Sequence, residues 1–157
     1  MASEAELWEL VASGREGILA TIGRSGRPQL SNILYVADSA ARLVRISTTA
    51  ERVKACNLAR DPRASLHAAG DDFWRFAVAE GTATLSGVAA QPGDDATREL
   101  RAVHAAFYGD APDEQAFFAE MIDARRLVIR LQVEHLYGVM ATGGRRPDAP
   151  SSDPDQG

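Results

Sequence analysis

The chain has 157 residues, a formal net charge of −5, 45% hydrophobic residues and 25% charged residues, a composition that fits one globular domain with a sizeable core. The acidic balance speaks against a general nucleic-acid or anionic-membrane binder, and no apolar run approaches the roughly 20 residues that span a bilayer. The acidic start "MASEAELWEL" lacks the regions of a signal peptide, and the single cysteine, Cys56, excludes an intrachain disulfide, so a reducing cytoplasm is the expected compartment.

"ASEAELWELVASG" predicts an amphipathic helix. Ser3 and Glu6 form a capping-box pattern, Leu7, Leu10 and Val11 share one face, and Gly14 ends it. "GILATIG" and "PQLSNILYVAD", joined by "RSGR", predict a hairpin, and "RLVRIS" predicts a third strand. A helix is expected from about Thr49 to Arg60, stopped by Pro62, followed by a short strand "RASLHAA". "FWRFAVAEGTATLS" reads as a long fifth strand bent at Gly81, with Trp74 and Phe76 on one face. Beyond "GVAAQPGDD" comes a helix with Leu100, Val103, His104 and Phe107 at helical spacing, then a short helix "DEQAFFAEMIDA", then the closing strand "RLVIRLQVEHLYGV".

Six mostly sequential strands with few crossovers predict a mainly β fold, a six-stranded antiparallel split β-barrel with helices outside it. A single domain over 1–140 is expected, with an N-terminal helix and a helical insert at about 94–124. Residues 141–157 are nearly free of large apolar side chains and read as a disordered tail.

"ISTTAERVKACNLARDP" holds the only lysine, Lys54, in a chain otherwise supplied with arginine. A strand runs here into a helix. Thr48 and Glu51 repeat the capping-box pattern, which makes Thr48 the expected N-cap, and Ser47, Thr48 and Thr49 offer hydroxyls at the same place. The guanidinium of Arg52 and the ammonium of Lys54 together suit a phosphate near a helix start. The same spacing also fits solvated charges on an exposed helix. Gln29, Ser31 and Asn32 form a second polar cluster, open between an ordinary half-exposed strand and amides that bond a ring edge.

The histidines His67, His104 and His135 show no metal-ligand spacing, and all three read as structural, with His104 packed on an apolar stripe. Cys56 reads as a small buried helix residue. Asp94, Asp95 and Glu99 read as charge at a helix start, and Tyr137 as a strand residue with its hydroxyl at the surface.

In order along residues 7–140, "GILATIGRSGRPQLSN", "ISTTAERVKACNLARDPRAS", "WRFAVAEGTATL" and "RRLVIRLQVEHLYGV" resemble the split β-barrel flavin and deazaflavin oxidoreductases. This is the pyridoxamine 5'-phosphate oxidase-like superfamily, and the chain looks most similar to the branch that uses the deazaflavin F420. The resemblance implies that Arg52 and Lys54 hold the cofactor phosphate, and that Ser47, Thr48 and Asn57 line the same groove. It further implies that Gln29, Ser31 and Asn32 contact the ring system and that Trp74, Arg125 and Arg126 approach the cofactor. It implies a homodimer with two equivalent sites at the interface. Pyridoxine-phosphate oxidases have the basic pair adjacent and end in an arginine-rich segment. Here the pair is split as "RVK" and the strand closes in "EHLYGVMATGG", which speaks against vitamin B6 oxidation. The implied activity is F420-dependent hydride transfer to a small conjugated molecule, with no protein nucleophile or metal needed. FMN in place of F420, and a non-catalytic deazaflavin-binding protein, are the alternatives.

Overall fold

A computed structural model describes residues 2–140; the tail expected over 141–157 lies outside the described residues. The elements run α1 (Glu4–Ser13), β1 (Glu16–Ile22), β2 (Pro28–Leu34), β3 (Val36–Asp38), β4 (Leu43–Thr49), α2 (Val53–Arg60), β5 (Arg63–Ala69), β6 (Phe76–Leu85), α3 (Asp95–Tyr108), α4 (Glu114–Asp123) and β7 (Arg126–Val139). The strands form one sheet in the order β2-β1-β5-β6-β7-β4-β3, and each assigned pairing is antiparallel. The sheet curls into a split barrel, and β2 meets β4 across the split.

Seven strands replace the six expected because "PQLSNILYVAD" breaks at Tyr35. There the chain leaves its pairing with β1 and joins β4 instead. Tyr35 fixes the crossing. Its backbone N–H donates to the Arg15 carbonyl at 2.9 Å, and its buried hydroxyl donates to the Val11 carbonyl at 2.7 Å. Burial pushes this phenol up to about 12. A side chain at Gly14 would sit 2.4 Å from that hydroxyl, so the end of α1 and the strand break fit only with glycine there.

The Ser3–Glu6 capping box forms as the sequence predicts, and α1 buries Leu7, Trp8 and Val11. These join Leu19, Val44, Ile46, Leu66, Ile129 and Leu131 in the barrel core. The opposite face of β7 contributes Val128 to a smaller cluster with Leu100, Val103, Phe117, Phe118 and Met121 of α3 and α4. Alternation along one strand thus builds two cores, one inside the barrel and one under the insert. The bend expected at Gly81 is a bulge in the β6–β7 ladder, where a Cβ would lie 1.8 Å from the Gln132 carbonyl oxygen.

Three local expectations are corrected. The helix after β4 begins at Val53, not near Thr49, and Thr48 is no N-cap. Thr48 and Thr49 stay in the ladder opposite Leu127 and Arg126, so their backbone is already committed to the sheet. Phe73 and Trp74 sit in a turn before β6, edge to face with each other, so Trp74 does not share a strand face with Phe76. Cys56 is exposed on α2 rather than buried.

Candidate functional site

A groove of about 610 Å³ opens along the split, between the edge of β2, the end of β4, the start of α2 and the insert helices. This volume falls in the range of small-molecule sites. One end is polar and cationic, made by Ser47, Thr48 and Thr49 of β4 with Arg52, Lys54 and Arg126. The remaining lining is mostly apolar, made by Leu100, Val103, His104, Phe107 and Tyr108 of α3 with Phe117 and Met121 of α4; Glu120 is its one carboxylate. Ser31, Asn32, Ile33 and Leu34 of β2 form the long side.

The cationic end is built by non-local pairing. Because β4 runs antiparallel to β7, Arg126 stands opposite Thr49, and its guanidinium donates to Ser47 Oγ at 2.9 Å. Arg52 occupies the N-cap position of α2 without making a side-chain cap, so the first-turn amides of that helix keep their donors available. No carboxylate among the described residues lies within ion-pair distance of Arg52 or Lys54. Partial burial, reinforced by the charge of Arg52, holds the Lys54 ammonium below the usual lysine range. An uncompensated, partly desolvated cation pair is an arrangement that gains from an anion.

The position of α2 depends on a buried polar chain. Asn57 Nδ2 donates to Thr21 Oγ1 at 3.1 Å, and Thr21 Oγ1 donates to Gln29 Oε1 at 3.1 Å. Arg60 donates to Asn57 Oδ1 at 3.2 Å and to the Ile22 carbonyl at 2.6 Å. Asn57 and Gln29 therefore do not line the groove; their amides tie α2 to the β1–β2 hairpin. Arg125 also turns away, forming an ion pair with Glu51, and Trp74 lies outside the groove. Of the expected site residues, Ser31, Asn32, Ser47, Thr48, Arg52, Lys54 and Arg126 come together along one groove.

Ser31 Oγ is buried and has no hydrogen-bond partner among the described residues. Such an atom is costly unless a bound group reaches it. A flavin or deazaflavin fits the donor set, with its phosphate at the cationic end, and its ring edge can satisfy Ser31.

No spacing in the sequence marks which residues of the insert line the groove. Leu100, Val103, His104 and Phe107 were read as one core stripe, yet the structure divides it: Leu100 and Val103 are buried, while His104 and Phe107 are only partly covered. Tyr108, four residues beyond His104, gives only a hint, by extending the aromatic face past what a buried stripe needs.

Elsewhere, a hollow of about 630 Å³ lies beside α1, rimmed by Glu6, Glu9, Asp71 and Arg75. Its acidic rim disfavours anions. No group of three His, Cys, Asp or Glu side chains among the described residues could hold a metal ion, and no helix among them is long and apolar enough to cross a membrane.

A curled antiparallel barrel with a phosphate-suited groove at its split defines a split-barrel protein. Residues 3–140 match the pyridoxamine 5'-phosphate oxidase family, and the chain belongs to it. It is similar to the conserved hypothetical protein Rv2991 of Mycobacterium tuberculosis, with 28% identity over 92% of this chain and 94% of that one and a TM-score of 0.66. A heme binding protein of Mycobacterium smegmatis shares 27% identity over 92% of this chain but only 57% of its own length, with a TM-score of 0.61. An F420 reductase shares the fold at 19% identity, covering 82% of this chain and 94% of that chain with a TM-score of 0.61.

Proposed function

We propose that this protein is a cytoplasmic, homodimeric oxidoreductase that binds F420 in the split-barrel groove and passes hydride between it and a small conjugated molecule. One observation carries this reading. A single groove brings together aromatic residues and the Arg52–Lys54 pair, which has no carboxylate partner among the described residues, with a Ser31 hydroxyl that is likewise unsatisfied among them.

Arg52 and Lys54 would hold the phosphate, helped by the open first turn of α2 and by the Thr48 hydroxyl. Arg126, braced on Ser47, adds a third positive charge. Ser31 and Asn32 would bond the ring edge. When bound, the deazaflavin supplies hydride at a ring carbon, and the protein's part is to hold, orient and exclude water. The split basic pair "RVK" sets this chain apart from pyridoxine-phosphate oxidation. The cationic end suits FMN as well, which supports an FMN-dependent oxidase or reductase as the second reading.

The outer sheet face supports a homodimer. Asn32, Ile18, His67, Val78 and Tyr137 are register partners in one row across β2, β1, β5, β6 and β7, and Phe76 pairs with Val139 beside them. Ile18, Leu34, Tyr137 and Val139 are all more than a third exposed. The five strands are 7 to 14 residues long and at ~3.3 Å rise and ~4.8 Å spacing present roughly 700 Å², close to the roughly 800 Å² each partner of a stable interface buries. Asn32 and Leu34 belong both to this face and to the groove, so a second copy seated here would border the site.

The test is a parallel titration of the purified protein with F420, FMN and hemin, followed by fluorescence and absorption. Tight binding of F420, and reoxidation of its reduced form by a quinone, is the expected result. Tight binding of FMN alone would move the protein to the second reading, and binding of hemin alone would overturn both.

A further inference from the structure

We infer that His104 is the proton donor on the acceptor side of the groove, an inference that rests on the hydride-transfer reading above. The imidazole lies on α3 with its ring centroid 4.9 Å from Tyr108 and 4.9 Å from Phe117, and it lines the same groove as the hydroxyls and cations. Two rings from two helices fix its orientation, while its partial exposure leaves it open to the groove.

The chemistry needs such a group. When hydride forms a C–H bond at the β-carbon of an α,β-unsaturated carbonyl, the π pair moves to the α-carbon and carbonyl oxygen as an enolate. The enolate must gain one proton. With His104 as donor, an imidazolium N–H bond breaks, a C–H or O–H bond forms on the acceptor, and neutral imidazole regains its proton from water. The reductant is the reduced deazaflavin, which ends two electrons more oxidised.

The other ionisable groups along the groove suit this task less well. Arg52 and Arg126 do not release protons. Lys54 belongs with Arg52 to the cation pair proposed to hold the phosphate. Tyr108 is 70% exposed and stands at the mouth. Glu120 is exposed, and a carboxylate only accepts hydrogen bonds. Imidazole is the side chain suited to giving and regaining a proton near neutral pH. The charged groups that line the same groove are Glu120, Arg52, Lys54 and Arg126.

The experiment compares wild type with His104→Gln and His104→Phe, the second of which keeps an aromatic ring between Tyr108 and Phe117. F420 affinity within about twofold of wild type and an unchanged melting temperature are expected for His104→Phe. With reduced F420 and 2-cyclohexen-1-one, turnover should fall roughly 10²- to 10⁴-fold in both variants, and the wild-type loss of rate towards high pH should disappear. A readout independent of turnover uses 4-nitrophenol, an enolate mimic, with the F420-loaded protein. Wild type should bind it with a raised fraction of phenolate, seen in its visible band, and both variants should lose that increase. Wild-type rates and pH profile in His104→Phe, or an unchanged phenolate fraction, would overturn the inference while leaving F420 binding intact. Failure of wild type to bind F420 would overturn it together with the reading it rests on.

Discussion

The proposed phosphate site rests on Arg52 and Lys54, two cations without a carboxylate partner among the described residues of an acidic chain. Each charge-assisted contact to a phosphate contributes about 1.5–3 kcal/mol. Replacing Arg52 or Lys54 with alanine should therefore weaken F420 binding by roughly ten- to more than a hundredfold, measured by fluorescence titration; unchanged affinity would return both to ordinary surface charges. The pH dependence has a definite sign. Burial and the neighbouring Arg52 lower the Lys54 pKa from the ordinary 10.5, so its charge is fully present below that lowered value and lost above it. Affinity should decline with rising pH before 10.5 is reached, and Lys54→Arg, which keeps its charge, should abolish the decline.

At the level of elements, the insert is held to the barrel by Glu99. Burial alone would raise its carboxyl, but Arg130 and Arg45 outweigh that and hold it below the usual carboxylate range. These arginines come from adjacent strands, opposite each other in the β4–β7 register, so one carboxylate on α3 clamps the helix to both. Glu99→Gln should destabilise the protein by about 1–2 kcal/mol, discounted because both guanidinium groups are about one-third exposed. Since the folded pKa is depressed, this stability is complete above the ordinary carboxylate value and is lost as pH falls through the folded one. In urea unfolding, the gap between wild type and variant should be widest near neutrality and close in acid; no gap at pH 7 would mean the clamp contributes nothing. The same contrast between local and distant partners explains what the sequence disclosed. Ser3 and Glu6 formed their capping box because it needs only neighbours three residues apart. Thr48 and Glu51 carry the same pattern, but Thr48 is claimed by Leu127 across the sheet and Glu51 by Arg125. Likewise, the strand pattern and the basic pair were legible, whereas Asn57 became a tie to Thr21 and His104 a groove residue through contacts that no spacing encodes.

At the scale of the whole molecule, the groove and the apolar sheet face share Asn32 and Leu34, so a second copy on that face would complete the groove wall. Under the proposed reading, cofactor binding and self-association would be linked reciprocally: F420 should tighten the dimer by the factor by which dimerisation tightens F420 binding. Tyr137 separates this coupling from direct contact, because it stands on the far side of the face, 46% exposed, and does not line the groove. An arginine there keeps the strand exposed to solvent in the monomer but places two like charges in an isologous contact, where each copy meets the same patch. Sedimentation velocity should show Tyr137→Arg as a folded monomer, with F420 affinity at least tenfold weaker than wild type at the same protein concentration. Raising the concentration of wild type, but not of the variant, should restore tight binding. A variant that remains dimeric would place the interface elsewhere, and a monomer with undiminished affinity would mean that one chain builds the entire cofactor site.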